Sequence, residues 1–252
     1  MDILYSLILV AIGFVGGVWN AIAGGATLFT FPALMAAGLP PVVANATNYL
    51  AMLPSNAAAL PAYRAELRGL GRTLVPLVLV SGLGAVAGSW LLLVSDPDVF
   101  VGLIPFLILV ATVLFASGDT LRRTLLSFAG RSRGTLVVYV ALFLSSIYGG
   151  YFGAGLGIIL LAIAQILGFS DFHVANSIKN LLATSFTILS ILVFGVGGLI
   201  AWPEAITMMI GSSAGGYLGG RYGKMLDQKI LRVAVIAFGF LLSAVYFVRT
   251  FG

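Results

Sequence analysis

Long apolar runs, separated by short stretches of glycine, proline or charged residues, follow one another along the whole chain. Several reach the roughly 20 residues that a helix needs to cross a hydrocarbon layer about 30 Å thick. They do not alternate between apolar and polar residues, as the strands of a membrane barrel do. The pattern therefore predicts an all-α, polytopic membrane protein. Its apolar segments are expected at 3–22, 26–38, 42–63, 73–94, 99–117, 135–150, 156–168, 174–198, 204–220 and 231–249.

The composition agrees with this class of protein and excludes several kinds of function. Hydrophobic residues make up 60% of the chain and charged residues 8%, against about 45–50% and about 25% in soluble domains. There is no cysteine and one histidine, which excludes disulfides, thiol catalysis and clusters of cysteine or histidine around a metal. We expect no cofactor, no metal and no enzymatic activity. The net charge is +5. The Lys and Arg residues lie mostly in short loops, so they indicate membrane topology rather than nucleic-acid binding.

The two halves of the chain repeat a skeleton of glycines and asparagines. Gly24 and Gly155 each follow an alanine, and 155 − 24 = 131. Asn45 and Asn176 begin the motifs Asn-Ala-Thr-Asn and Asn-Ser-Ile-Lys-Asn, and 176 − 45 = 131. Many transporters are built from such internal repeats. Further glycines at the same offset are expected to allow close helix packing; these are Gly84 with Gly215 and Gly88 with Gly219.

Charge placement predicts that the two halves are inverted. Cytoplasmic loops are enriched in Lys and Arg, so the basic clusters are placed inside and the turns at 95–98 and 201–204 outside. Arg72 then lies inside, whereas its counterpart Pro203 (72 + 131 = 203) lies outside. Both termini are expected on the periplasmic side. The basic clusters are Arg64, Arg68 and Arg72; Arg122, Arg123, Arg131 and Arg133; and Arg221, Lys224, Lys229 and Arg232.

Three regions follow from the repeat and the charges. We expect a first transmembrane repeat at 1–118, a basic cytoplasmic linker at 119–134 and a second transmembrane repeat at 135–252. In each half the first two apolar segments span about 35 residues, fewer than the roughly 40 that two crossings and a turn require. Each half is therefore expected to contain a helical hairpin, re-entrant or fully spanning, and about three spanning helices.

Glycines mark the turns of these hairpins, because glycine permits tight, unwound backbone. They are expected to expose backbone N–H groups at the positive end of a half-helix, which together attract an anion. If the two hairpins meet near the midplane, they lie where transporter sites usually lie. The residues concerned are Gly24 and Gly25 in the first half, and Gly153, Gly155 and Gly157 in the second.

Amides and hydroxyls follow each glycine turn at a fixed distance. Helix capping accounts for one such residue at a helix start, but several in each half are better explained as a polar lining for a solute. Asn20 is a further candidate of the same kind. The candidate binding residues after the turns are Asn45, Thr47 and Asn48 in the first half, and Asn176, Ser177, Lys179 and Asn180 in the second.

Lys179 has two interpretations. Inside the bundle it supplies a fixed positive charge for an anion, and at the lipid edge it extends its ammonium group to the interface. The acidic residues all fall in loops or at segment ends, so no carboxylate is embedded where proton- or sodium-coupled carriers commonly keep one. This favours facilitated export down a gradient, or coupling through protonation of the substrate itself. Coupling to a sodium ion held by backbone carbonyls is the remaining alternative.

These motifs resemble the sulfite exporter TauE/SafE family, also called the 4-toluene sulfonate uptake permease family. The resemblance rests on Gly24-Gly25, Pro32 and residues 44–48 in the first half, and on residues 153–157 and 175–177 in the second. It implies secondary transport of sulfite, organosulfonates or related small anions across the bacterial inner membrane. The chain departs from the pattern in the short first glycine run, in the missing counterpart of Pro32, and in Lys179.

Other functions stay open beside this one. The chain could transport small carboxylates, conduct anions as a channel, or serve as a non-transporting scaffold, since glycine-rich faces also suit helix association. An intramembrane enzyme would have only serine or threonine with Lys179 for its chemistry. The partners expected are a small anion and the lipid bilayer, with no nucleic acid; a homodimer is plausible.

Overall fold

The computed structural model describes residues 3–22, 25–57, 60, 64–118, 120, 123, 124, 135–169, 171–222 and 228–252, so Gly24 and most of the linker at 119–134 lie outside the described residues. The described residues form α-helices joined by short turns, without a strand. The all-α prediction is confirmed. The helices are α1 (Ile3–Ile22), α2 (Thr27–Ala36), α3 (Pro41–Ala57), α4 (Arg64–Leu70), α5 (Leu74–Val94), α6 (Pro97–Ala116), α7 (Thr135–Tyr151), α8 (Leu156–Ile166), α9 (Phe172–Val196), α10 (Trp202–Tyr222) and α11 (Gln228–Phe251).

Every predicted apolar segment corresponds to a helix, and α4 is an additional one that the hydropathy pattern did not predict. Five stretches in the described part of the chain are long and apolar enough to cross a membrane, which confirms a polytopic membrane protein. By contrast, α2 has 10 residues and α8 has 11, which at 1.5 Å per residue makes them about 15–17 Å long. They are the short members of the two hairpins. The five stretches are Ile3–Ala21, Glu66–Val94, Pro97–Ala116, Val174–Val196 and Val233–Phe251.

The first hairpin brings a helix start into the middle of the protein. Tyr5 Oη donates a hydrogen bond of 3.2 Å to the carbonyl oxygen of Ala37, so α2 ends beside the start of α1. At its other end, Thr27 Oγ1 accepts a bond of 3.2 Å from Nδ2 of Asn48, which lies halfway along α3. The N-terminus of α2 therefore lies level with the middle of α3.

The hairpins of the two halves share their geometry, with a correction to the predicted register. Gly25 has φ 81° and Gly155 has φ 76°, and each accepts a bond from the N–H three residues later. The offset there is 155 − 25 = 130, so Gly25 rather than Gly24 corresponds to Gly155. In α3 and α9 the offset is 131: Ala44 N–H donates to Pro40, and Ala175 N–H donates to Asp171. The second half therefore has one extra residue in the turn before α9.

Two pairs of parallel helices join the halves through glycine. A Cβ atom at Gly215 would lie well inside van der Waals contact with the carbonyl oxygen of Phe14, so α10 and α1 touch backbone to backbone. The same holds for Gly88 and the carbonyl oxygen of Ile147, between α5 and α7. Small residues permit such close approach in membranes. Related contacts are Gly211 with Val10, Gly219 with Val18, Gly84 with Phe143 and Gly150 with Ala85.

Helices α3 and α9, which correspond in the two halves, run in opposite directions. Thr47 in α3 accepts a 3.0 Å bond from the backbone N–H of Ala201, which follows the end of α9. Tyr49, two residues later in α3, packs against Phe194 and Phe186, which lie earlier in α9. Opposite directions of equivalent helices are what an inverted repeat requires. The inversion across a membrane stays a prediction, and labelling tests it.

We expect Gly215→Ala and Gly88→Ala each to destabilise the protein, because the added methyl group forces the paired backbones apart. Overpacking costs about 1–3 kcal/mol. The measurement is the midpoint of thermal unfolding of the purified protein in detergent. Gly102→Ala on α6 is the matched control, since a Cβ atom there meets no atom within 4 Å. Equal midpoints for all three variants would contradict this packing.

Single cysteines at Ser95 and Ala201 should react with an impermeant thiol reagent from the periplasmic side, and Arg72→Cys from the cytoplasmic side. The chain contains no cysteine, so labelling has no background. If Ser95→Cys or Ala201→Cys reacts from the cytoplasm alone, the inverted arrangement is wrong.

Candidate functional site

A cavity of about 80 Å³ lies where the two glycine turns meet α1, α3 and α9. Both halves of the chain contribute to its wall, so it lies at their junction. Sites of secondary transporters commonly occupy this position. The residues that line it are Asn20, Gly25, Thr27, Asn48, Tyr49, Met52, Asn56, Phe152, Gly153, Gly155, Leu156, Gly157, Lys179, Ala183, Phe186 and Thr187.

Much of this lining is formed by equivalent positions of the two repeats. Asn48, Met52 and Asn56 lie one helical turn apart on α3, and adding 131 gives 179, 183 and 187 on α9. The turns contribute in the same way at an offset of 130. Positions that correspond in the sequences of the two halves therefore line the same cavity. The equivalent pairs are Gly25 with Gly155, Thr27 with Gly157, Asn48 with Lys179, Met52 with Ala183, and Asn56 with Thr187.

Lys179 is the one charged residue among the described residues that line the cavity. A Cβ atom at Gly157 would lie 3.7 Å from Cδ of Lys179, so the lysine side chain passes beside the first turn of α8. Of the two interpretations of this lysine, the geometry favours the one in which it faces the bundle interior.

Two helix N-termini also begin at the cavity. Gly25 and Thr27 belong to the start of α2, and Gly155 and Gly157 to the start of α8. The first backbone N–H groups of a helix have no partner within it, and the helix dipole makes this end positive. The positive φ of Gly25 and Gly155 belongs to a region that glycine enters without steric cost. Glycine at these turns thus lets the backbone approach the cavity directly.

Three asparagines supply amide groups. Asn20 Nδ2 donates bonds of 2.8 Å to Ser55 Oγ and to Asn56 Oδ1, which holds the end of α1 against the end of α3. Asn48 is 2% exposed, and its Oδ1 has no hydrogen-bond partner in the described part of the chain. Since a buried amide is normally satisfied, Asn48 has capacity left for a ligand.

Several predicted residues do not line the cavity. Asn45 Nδ2 donates a bond of 3.0 Å to the carbonyl oxygen of Tyr151, and Thr47 holds Ala201 as described above. Ser177 Oγ donates a bond of 2.7 Å to the carbonyl oxygen of Val174 in its own helix. Asn176 and Asn180 also lie outside the lining. The structure thus groups Asn20, Gly25, Asn48, Gly153, Gly155, Gly157 and Lys179 around the cavity. Asn45, Thr47 and Ser177 make the other contacts given above, and Gly24 lies outside the described residues.

Other lining residues escaped the sequence prediction. Thr27, Tyr49 and Thr187 were not selected, and Asn56 was not among the principal candidates. A spacing of eight from Asn48 gives Asn56, and the same spacing from Lys179 gives Thr187, so helical periodicity was the signal that could have found them.

At the end of the cavity nearest the start of α3, contacts join α3 to the second half. Tyr49 Oη donates a hydrogen bond to the carbonyl oxygen of Gly149, and its ring packs edge to face against Phe186 and Phe194, with centroid distances of 6.5 and 5.4 Å. Asn45 and Thr47, on opposite faces of α3, also bond residues of the second half. All three α3 residues are buried. This set, here called the α3 contact stripe, consists of Asn45, Thr47 and Tyr49.

The chain is similar to several bacterial proteins named as membrane transporters. The "Probable membrane transporter protein" of Haemophilus influenzae is 34% identical over 243 residues, which cover 94% of this chain and 92% of that protein. The "Probable membrane transporter protein YfcA" of Escherichia coli K12 is 29% identical over 239 residues, with 94% and 87% coverage. A third, "Probable membrane transporter protein ORF9" of a Sinorhizobium species, is 27% identical over 226 residues, with 88% and 85% coverage. No solved structure matches the chain significantly.

A family comparison covers both repeats. The profile described as "Sulfite exporter TauE/SafE" matches residues 9–246, which include the two hairpins, α3, α9 and the cavity between them. The resemblance based on the glycine turns and asparagine motifs is confirmed. This protein therefore belongs to the sulfite exporter TauE/SafE family of membrane transporters.

Proposed function

We propose that this protein is a secondary transporter that moves a small anion, sulfite in the first place and an organosulfonate in the second, across the bacterial inner membrane by alternating access. The observation that carries the proposal is the convergence of Lys179 with the N-termini of α2 and α8 on one cavity. The described lining residues include no carboxylate. The anion would bind between these groups.

Electrostatics favours an anion over a cation or a neutral solute. An ammonium group and two positive helix ends repel one another at close range, and the repulsion is strong where water is scarce. An anion between them turns each of these interactions into an attraction. Asn48 can add a hydrogen bond to the anion. The hydroxyl of Thr27 both donates and accepts, so the Asn48 amide can be flipped: Oδ1 then accepts from Thr27 and Nδ2 donates to the anion.

Cavity size favours an anion of a few heavy atoms. A water molecule requires roughly 10–15 Å³ of such space, so about 80 Å³ accommodates sulfite or a short sulfonate. An aromatic sulfonate would require the aromatic wall formed by Phe152 and Phe186 to move. Sulfite is therefore placed before the organosulfonates, and short carboxylates are the competing substrates.

The α3 contact stripe supports alternating access. It joins α3 to the second half at one end of the cavity through an aromatic cluster and three hydrogen bonds: two are donated by Asn45 and Tyr49, and one is accepted by Thr47. A continuous channel would be interrupted there. For a solute to leave by this end, the bonds of Asn45, Thr47 and Tyr49 to the second half must break, which makes their separation a step of transport.

Lys179→Gln should weaken binding of sulfite by about 10- to 100-fold, since hydrogen bonds to a charged group contribute about 1.5–3 kcal/mol. The measurement is concentration-dependent flux into liposomes that contain the purified protein, with sulfite, sulfate, methanesulfonate and acetate as substrates. Arg249→Gln, at an exposed position near the end of α11, is the matched control for loss of one positive charge.

Asn48→Ala and Asn176→Ala separate the geometry from the sequence motif. If the cavity is the binding site, Asn48→Ala should reduce anion transport, and Asn176→Ala should reduce it much less. Unchanged transport of every anion by Lys179→Gln and Asn48→Ala together would refute the site. If the protein transports acetate in preference to sulfite, the site assignment stands, but the substrate is a carboxylate.

A disulfide between Thr47→Cys and Ala201→Cys should stop transport, because it fixes α3 to the second half. Oxidised and reduced forms of the same double variant are compared in the flux assay, so loss of the threonine itself is controlled. Recovery on reduction supports alternating access. Full transport by the oxidised, cross-linked protein would show that this end does not open.

A further inference from the structure

A second, separate concavity lies on the membrane-facing surface. It has a volume of about 510 Å³ and lies between α4, α5 and Leu181 of α9. Its wall is almost entirely apolar, except that two arginines lie at one end. The residues that line it are Leu60, Arg64, Leu67, Arg68, Gly71, Leu74, Val75, Val78, Leu79 and Leu181. We call it the α4–α5 groove.

The arginines face this groove because of helical periodicity. Arg64, Leu67 and Arg68 are separated by three and four residues, so they share one face of α4. Glu66 lies on a different face of α4 and is not part of the lining. The positive charge at this end of the groove is therefore not accompanied by a carboxylate among the described lining residues.

The groove extends from the membrane boundary into the hydrocarbon region. The helix α5 is 21 residues long and mainly apolar, close to the roughly 20 residues that span the bilayer. Val75 and Leu79 near its start are 52% and 60% exposed, as expected for residues that contact lipid. Arg64 and Arg68 lie on α4, before α5, and are also exposed, so we expect them at the level of the lipid headgroups.

We propose that the α4–α5 groove binds one phospholipid with an anionic headgroup. Its phosphate lies against Arg64 and Arg68, whose guanidinium groups bind phosphate oxygens in a bidentate manner. One acyl chain lies along Leu74, Val78 and Leu181. Charge complementarity selects this occupant: a zwitterionic lipid fills the apolar part equally well but gains less from two arginines.

The site is independent of anion transport through the central cavity. None of its lining residues lines the central cavity. However, Leu181 lies two residues from Lys179 on α9, so the lipid contacts the same helix that carries the charge of the central cavity.

Native mass spectrometry of the purified full-length protein tests the proposal, with phosphatidylglycerol and phosphatidylcholine of identical acyl chains as probes. We expect one tightly retained phosphatidylglycerol and a preference over phosphatidylcholine of about tenfold or more, since each of the two basic residues contributes about fivefold. Arg64→Gln/Arg68→Gln should remove that preference.

Two further variants make the outcome specific. Arg221→Gln removes an exposed arginine at the end of α10 and should keep the preference. Val78→Phe narrows the groove without altering charge, and it should reduce retention of both lipids. All variants are first compared with the unaltered protein by gel filtration and thermal unfolding, and only folded variants are scored. The proposal is overturned if Arg64→Gln/Arg68→Gln retains the preference, or if Arg221→Gln loses it equally.

Discussion

The close approach of α1 to α10 and of α7 to α5 determines the rest of this structure. In each pair the first helix of one hairpin packs, backbone to backbone, on a helix of the other half. A hydrophobic driving force between helices is absent in lipid, so association depends on van der Waals contact and hydrogen bonds. Glycines such as Gly215 and Gly88 supply that contact. Each hairpin is thereby held by the opposite half, and the two glycine turns meet.

Burial inside this assembly allows the unwound glycine turns to lie within the membrane. Unwound backbone within the hydrocarbon region is tolerated only where protein covers it or where it lines a cavity. Gly25 and Gly155 lie at such positions, with positive φ and with the starts of α2 and α8 directed to the cavity. The same constraint therefore accounts for the fold of the hairpins and for the electropositive character of the site.

The pseudo-symmetry of the cavity is broken at its most polar pair. Position 48 is asparagine, and its equivalent, position 179, is lysine. Met52 with Ala183 and Asn56 with Thr187 differ in size as well. The two halves thus contribute unequal walls to the cavity, with the charge on α9 and the asparagine amide groups on α1 and α3. If the cavity binds an anion as proposed, the anion lies closer to the charge on the second half.

The sequence by itself determined the class of the protein, the positions of its main helices and the repeat, because apolar length, charge placement and glycine spacing are local properties of the chain. Periodicity alone could not decide which face of α3 meets the cavity. Asn45 and Asn48 belong to one polar motif, yet Asn45 bonds Tyr151 while Asn48 lines the cavity. Neighbouring helices set that orientation. The tertiary structure decided it because the hydrogen bonds that fix α3, from Asn45 to Tyr151 and from Tyr49 to Gly149, join residues 100 or more positions apart.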